Sequence, residues 1–193
     1  MPKRLFKFIL HGVFLVAVLP FAAASGFGHL NSSYEFFAHL YAIAPGIIGD
    51  YLRIAFYKLT LVECSLSSRV SFGSFFPHPD VRLGRDVYIG CYCIIGKVTI
   101  HENAQIASCV QILSGSRQHA RNKKGELSGA AGGVFTSVDI GAHCWIGAGA
   151  IVMADVGAGT TIGAGSVVSR PIPPHSVAVG SPARVIQTLA VHT

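Results

Sequence analysis

Nine histidines and five cysteines are the side chains of this chain best suited to proton transfer, nucleophilic attack or metal ligation near neutral pH. One of them stands out by position. His119 lies in the polar segment Ser114–Gly125, between two strongly patterned stretches. A neutral imidazole there can take the proton of an attacking hydroxyl. Metal ligation is the competing chemistry, but a histidine-bound zinc or iron requires three convergent imidazoles, and His119 has no partner histidine in its loop. His78, in the early loop Phe75–Asp80, is placed to reach a neighbouring site. His101 and His143 occupy turn positions and read as solvated; His11, His29, His39, His175 and His192 carry no chemical argument.

What must position His119 is a repeat. From Leu83 onward a bulky aliphatic residue returns every six positions, usually followed by glycine: Leu83-Gly84, Ile89-Gly90, Ile95-Gly96, then Ile100, Ile106 and Ile112. The pattern resumes at Ile140-Gly141, Ile146-Gly147, Val156-Gly157 and Ile162-Gly163. Four residues after each aliphatic stands a small or β-branched residue: Val87, Cys93, Thr99, Ala104, Val110, Cys144, Ala150, Thr160 and Ser166. Repeats of this kind predict a parallel β-helix with short flat faces, in contrast to the period-two alternation of a sandwich. The aliphatic fills the coil, the small residue sits where little else fits, and glycine serves a turn by positive φ or close backbone approach. No coil buries its apolar face alone, so coils stack and stability passes between neighbours. The steps Ile95–Ile100 and Val152–Val156 are one and two residues short and predict tightened corners. The long break, Leu113–Val138, predicts a protruding loop of the kind that is usually functional.

Composition narrows the rest. The chain is 51% hydrophobic and 12% charged, with a formal charge of +6. A basic excess fits nucleic acid, an anionic membrane or an anionic cofactor; no nucleic-acid motif accompanies it, and nucleic acid ranks last. The odd cysteine count lacks zinc spacing, and Cys91-x-Cys93 is too short a chelate. Cys93 and Cys144, within the small inward series, read as core filler, whereas Cys64, Cys91 and Cys109 carry no pattern. A reducing compartment fits best.

Lys3, Arg4 and Lys7 precede an apolar run, Phe8–Ala24, that reads as a signal peptide or a retained membrane segment; the retained segment is the reading taken. As a helix its seventeen residues span about 25 Å, just short of a hydrocarbon core, and His11, Gly12 and Pro20 weaken it further. Phe36–Ile48, broken by Pro45-Gly46, suits an interfacial or re-entrant segment. Asp50–Leu61 reads as an amphipathic helix, either resting on a membrane surface or capping the open end of the solenoid. The organisation expected is therefore an N-terminal apolar helical segment 1–62, a β-helix 63–188 with a protruding loop 114–137, and a tail 189–193.

Ile140–Gly147, Ile162–Arg170 and Val179–Ile186 resemble the C-terminal half of hexapeptide-repeat acyltransferases, the maltose, galactoside and serine acetyltransferases and sugar O-acetyltransferases of polysaccharide synthesis. Ser181 stands where that family usually has Asn. The helical segments with Tyr51-Leu-Arg53 and Phe56-Tyr-Lys58 resemble a membrane-associated branch of polysaccharide synthesis. The resemblance implies a left-handed β-helix, a homotrimer with sites between subunits, an acetyl-CoA donor, no metal, and a sugar or glycan hydroxyl as acceptor. By the same resemblance His119 is the general base, although Ser114–His119 is about two residues longer than the family's strand-to-histidine spacing. The Ala148 N–H serves the oxyanion; Trp145, Ala148, Ala164, Ser169, Arg170 and Arg184 meet coenzyme A; His78 and Arg117 are candidate acceptor contacts. A guanidinium suits phosphate because it donates in a fixed fork.

Two other functions fit the same scaffold: a metal enzyme of the γ-carbonic-anhydrase type, and a membrane-docked solenoid without catalysis. Acetyl-CoA is cytosolic, and a single pass with Lys3 and Arg4 inside would carry the solenoid away from it. Acetyl transfer therefore predicts a hairpin, re-entrant or surface attachment, at the cytoplasmic face of the inner membrane.

Overall fold

The computed structural model describes residues 2–115, 124–127 and 135–190, with the side chains of residues 2–4 left aside. Three helices precede a parallel solenoid: α1 (Pro2–Ala24), α2 (Asn31–Ala42) and α3 (Gly46–Thr60). α1 runs through Gly12 and Pro20 without ending at either, so the apolar run is one continuous helix.

The solenoid is a three-sided prism of very short strands. Sheet A stacks β1 (Glu63–Cys64), β3 (Val81–Leu83), β6 (Val98–Ile100) and β9 (Val138–Ile140). Sheet B stacks β2 (Arg69–Val70), β4 (Tyr88–Ile89), β7 (Gln105–Ile106), β10 (Trp145–Ile146), β12 (Thr161–Ile162) and β14 (Ser176–Val179). Sheet C stacks β5 (Ile94–Ile95), β8 (Gln111–Ile112), β11 (Ile151–Val152) and β13 (Val167–Val168). All these pairings are parallel and in register, so Ile89, Ile106, Ile146 and Ile162 form one buried column. A final strand, β15 (Arg184–Thr188), turns back antiparallel on β14 and closes that end of sheet B.

The glycine after each aliphatic works by close approach. Gly84, Gly141, Gly147 and Gly157 have ordinary φ, but a Cβ on Gly141 would lie 2.4 Å from the Ala158 nitrogen one coil above. Positive φ falls two residues later, at Asp86, Tyr92, Asn103, Cys109, His143, Gly149, Gly159, Gly165 and His175. The inward small residues bind coils together where they carry a donor. Ser74 donates to the Gly90 carbonyl at 2.6 Å, Thr160 to Pro173 at 2.9 Å, and the Cys93 and Cys144 thiols reach Ala107 and Gly157 at 3.1 Å.

Two expectations need correction. Thr99 does not join the inward column: the shortened step after Ile95 moves the register by one, and Val98 is buried in its place. Cys64 does carry the pattern. It sits opposite Leu83 on sheet A, buried in an aliphatic position of a coil that begins well before Leu83. Burial pushes its thiol up to about 12, and it also raises Cys93 and Cys144, so all three are protonated at neutral pH.

α3 plugs the open end of the prism. Ile54, Phe56 and Tyr57 are buried, and Tyr57 meets Phe76 edge-on at 4.7 Å. Arg53, in the helix expected either to rest on a membrane surface or to cap the solenoid, is fully buried. Its guanidinium donates to the carbonyls of Val70 at 2.8 Å, Tyr41 at 3.0 Å and Ala44 at 2.7 Å, and pairs with Asp50, which also holds Arg69 at 2.7 Å. One side chain thus ties α2, α3 and the first coil. Burying a lone charge is costly, and this network offsets it. Replacing Arg53 with Met strands those carbonyls and Asp50, and is expected to cost about 3–5 kcal/mol. A thermal melt shows this as a lower transition temperature; an unchanged one refutes the plug. Gly141→Ala is expected to cost about 1–3 kcal/mol by overpacking, read in the same melt.

Candidate active site

The prism has three edges. The edge from sheet C to sheet A carries, coil by coil, Phe76–Asp80, Gly96-Lys97, the long loop, Met153–Asp155 and Ser169–Pro171. The edge from sheet B to sheet C carries Cys91, Ser108, Ala148 and Ala164 at equivalent turns. These two edges flank sheet C.

The long loop leaves and returns through a pinned neck on the first of these edges. The Thr136 N–H donates to the Ser114 carbonyl at 3.1 Å, the Lys97 N–H to Ser114 Oγ at 2.9 Å, and the Val138 N–H to the Lys97 carbonyl at 3.1 Å. Gly115 turns with φ +82°, and a Cβ there would strike Thr136 Oγ1. His119 follows four residues beyond this glycine, within about 14 Å of chain. His119 and Arg117 themselves lie outside the described residues.

Beneath the neck is a recess of about 410 Å³ lined by His78, His29, Asp80, Lys97 and Phe135. It places His78 under the returning limb of the loop. Lys97 pairs with Asp80 at 2.7 Å across two stacked corners. Neither Lys97 nor His29 falls on an inward position of the repeat, so no sequence pattern marks them. Ser169 and Arg170 sit on the same edge, exposed, two coils beyond the loop.

The other candidate residues lie across sheet C. Ala148 and Ala164 are exposed and stacked, with the Gly165 N–H donating to the Ala148 carbonyl at 2.8 Å. The short step at Val152–Val156 falls on the opposite edge, and Val156 still bridges Ile140, so this stack is undisturbed. The turn before Arg184 caps it: the Val167 N–H donates to Gly180, and the Ala183 N–H to Val167, at 3.0 and 2.8 Å. Arg184 is exposed and uses one nitrogen on the Ala183 carbonyl. Among the described residues the Ala148 N–H donates to no backbone carbonyl, and the same holds for Ala142, Ala158 and Ala164. The free N–H is therefore a property of the repeat and does not single out Ala148. Trp145 stands on the outer face of sheet B, 58% exposed, between Gln105 and Thr161.

One chain thus assembles a loop edge with His78, Ser169 and Arg170 and, on the other side of sheet C, an exposed row with Ala148, Ala164 and Arg184. Among the described residues, no three His, Cys, Asp or Glu side chains converge as metal ligands.

Comparison with known proteins agrees with this architecture. No family model matches the chain. The serine acetyltransferase of Escherichia coli (strain K12) is 29% identical over 116 residues, covering 56% of this chain and 37% of that protein. Nodulation protein L of Rhizobium meliloti (strain 1021) is 40% identical over 111 residues, covering 55% and 58%. A hexapeptide-repeat-containing acetyltransferase from Vibrio cholerae O1 biovar eltor, solved with acetyl coenzyme A, superposes with a TM-score of 0.71 at 20% identity, over 83% of this chain and 88% of that one. At this identity the solved structure shows a shared fold, a parallel β-solenoid. This chain spans little more than a third of the length of the serine acetyltransferases it matches.

The five thiols of this solenoid differ in access. Cys109 is exposed and Cys91 half-buried, whereas Cys64, Cys93 and Cys144 are buried. Brief alkylation at neutral pH is expected to label Cys91 and Cys109 in the folded protein and all five after unfolding, counted by mass spectrometry. Labelling of Cys93 or Cys144 in the native state contradicts the coil register.

Proposed function

We propose that the chain is an acetyl-CoA-dependent O-acetyltransferase acting on a hydroxyl of a sugar or glycan. The observation that carries this is the exposed row of stacked small residues, Ala148 and Ala164, ending at Arg184, on a solenoid whose opposite edge carries the pinned neck of a loop whose sequence includes a histidine. Small side chains let an extended pantetheine arm approach the backbone, and Arg184 and Arg170 offer guanidinium forks to the phosphates. Trp145 and Ser169 complete the donor contacts in this reading. The names of the relatives, serine acetyltransferase among them, support acetyl transfer.

The chemistry needs little of the protein. A thioester is already a reactive acyl donor, so positioning supplies much of the rate. His119, neutral, accepts the proton of the acceptor hydroxyl as its oxygen bonds to the thioester carbon. The oxyanion so formed is stabilised by the Ala148 N–H. The carbon–sulfur bond then breaks, and the coenzyme A thiolate takes the proton back from the imidazolium. No covalent enzyme intermediate is required. The recess beneath the loop neck, with His78 and Lys97, is the proposed acceptor side, and Arg117 is a further acceptor contact.

The candidate residues lie on two edges either side of sheet C, and the site is proposed to form between copies in a homotrimer. Attachment is proposed through residues 1–62, at the cytoplasmic face of the membrane. The segment Leu5–Ala24 has a mean hydropathy of 2.1, and only 11% of its most apolar window is buried. α1 lies along the cap, with His11 and Phe14 against Tyr51 at 5.1 and 5.3 Å, and Phe21 against Phe37 at 5.5 Å. A helix packed on its own solenoid cap favours surface or hairpin attachment over a single pass, and so keeps the donor site on the cytosolic side.

His119→Ala is expected to lower turnover by about 10²–10⁴-fold while leaving acetyl-CoA binding unchanged, measured by thiol release against a panel of sugars. Retained turnover removes His119 as the base. Arg184→Ala is expected to weaken acetyl-CoA binding about tenfold in a calorimetric titration of the full chain; unchanged affinity removes Arg184 from the donor site.

A further inference from the structure

Between α1, the start of α3 and the first two coils of sheet B lies a cavity of about 520 Å³ that the proposed reaction does not use. It opens on sheet B, near Arg69 and Tyr88, away from the edge that carries the loop neck. Two of its lining side chains are buried with a polar atom unsatisfied: His11, 8% exposed, through Nδ1, and Ser71, 3% exposed, through Oγ. Buried polar atoms without partners are few in folded proteins, and each marks either a cost or a missing ligand.

The charges around the cavity are unbalanced towards positive. Lys7 and Arg69 line it, and the one carboxylate present, Asp50, is already taken by Arg53 and Arg69. Lys7 is exposed and has no ion-pair partner among the described residues. The cavity continues into a second, largely apolar recess along α1, of about 360 Å³, which shares Lys7, His11, Leu66 and Ser67 and adds Phe8, Gly12 and Leu15. Phe8, Gly12 and Leu15 fall at i, i+4 and i+7, on one helix face. Gly12 is the low point of that strip: a Cβ there would meet nothing within 4 Å. The outer face of α1 beside it is strongly apolar and exposed, with Phe8 at 77% and Val16 at 71%.

We propose that this paired cavity binds an amphiphile with a phosphate ester head, a lipid phosphate. The head sits among Lys7, Arg69 and the free Ser71 hydroxyl, and the hydrocarbon chain lies in the Gly12 furrow. A cation and a free hydroxyl donor suit phosphate oxygens. An apolar furrow running from that head site along a lipid-facing helix suits an alkyl chain and not a soluble phosphate. The site would fix the helical cap at the membrane surface through a specific lipid in addition to its apolar face. It rests on the surface attachment of residues 1–62 and on no part of the acetyl-transfer reading.

The test uses the full chain in a neutral detergent, with native mass spectrometry as the readout. The probes are dioleoyl phosphatidic acid, dioleoylglycerol with the same chains and no phosphate, and inorganic phosphate. One phosphatidic acid per chain is expected, with neither dioleoylglycerol nor inorganic phosphate retained at the same concentration. Gly12→Leu puts a side chain into the furrow from a position where a Cβ meets nothing within 4 Å, and Lys7→Glu reverses the free charge at an exposed position. Each is expected to reduce phosphatidic acid binding at least about tenfold with an unchanged melting profile. Equal retention of dioleoylglycerol, or full binding by both variants, overturns the proposal. Retention of inorganic phosphate as strong as that of phosphatidic acid overturns the lipid part and leaves a soluble phosphate site.

Discussion

Close in-register stacking of coils is the constraint on which everything else in this molecule depends. Every strand is two to five residues long and would be worthless alone. Its backbone groups are satisfied only because the next coil repeats the same geometry directly above it. That fixes the aliphatic columns, excludes any side chain at Gly84, Gly141, Gly147 and Gly157, and leaves the exterior positions of each coil free. The exterior is where chemistry can vary without disturbing the stack.

Two consequences follow for function. A rigid stack holds each turn in a fixed line, so a loop inserted at one turn projects from a defined edge. The Ser114–Thr136 neck, tied to Lys97 below, is such an exit. A prism also separates its edges: Arg170 and His78 lie on one side of sheet C, and Ala148 and the turn before Arg184 on the other. The proposed reaction uses both, and its assembly between copies belongs to that proposal.

Much of this was legible in the residues. The hexad of Ile89, Ile95, Ile106, Ile146 and Ile162 announces the solenoid because its period is enforced by sterics at every coil. Thr99 leaves the inward column because the one-residue-short corner after Ile95 shifts the register, which a fixed six-residue count does not follow. Cys64 escapes that count because a thiol fills an aliphatic site without looking aliphatic. Arg53 carries no local mark of burial, because a cation in an amphipathic helix usually faces solvent. Only the three-dimensional convergence of the Tyr41, Ala44 and Val70 carbonyls reveals its buried role. Lys97, Asp80 and Phe135 come together beneath the loop neck across three coils, a juxtaposition that no local spacing encodes.

Native mass spectrometry of the full chain with acetyl-CoA, in a neutral detergent, tests the central claim most directly. The account predicts that acetyl-CoA is carried by trimers, one per chain, and by no monomer, because the proposed site joins the loop edge and the Arg184 row between copies. A monomer that retains acetyl-CoA as firmly as the assembly, or a trimer that retains none, would contradict it.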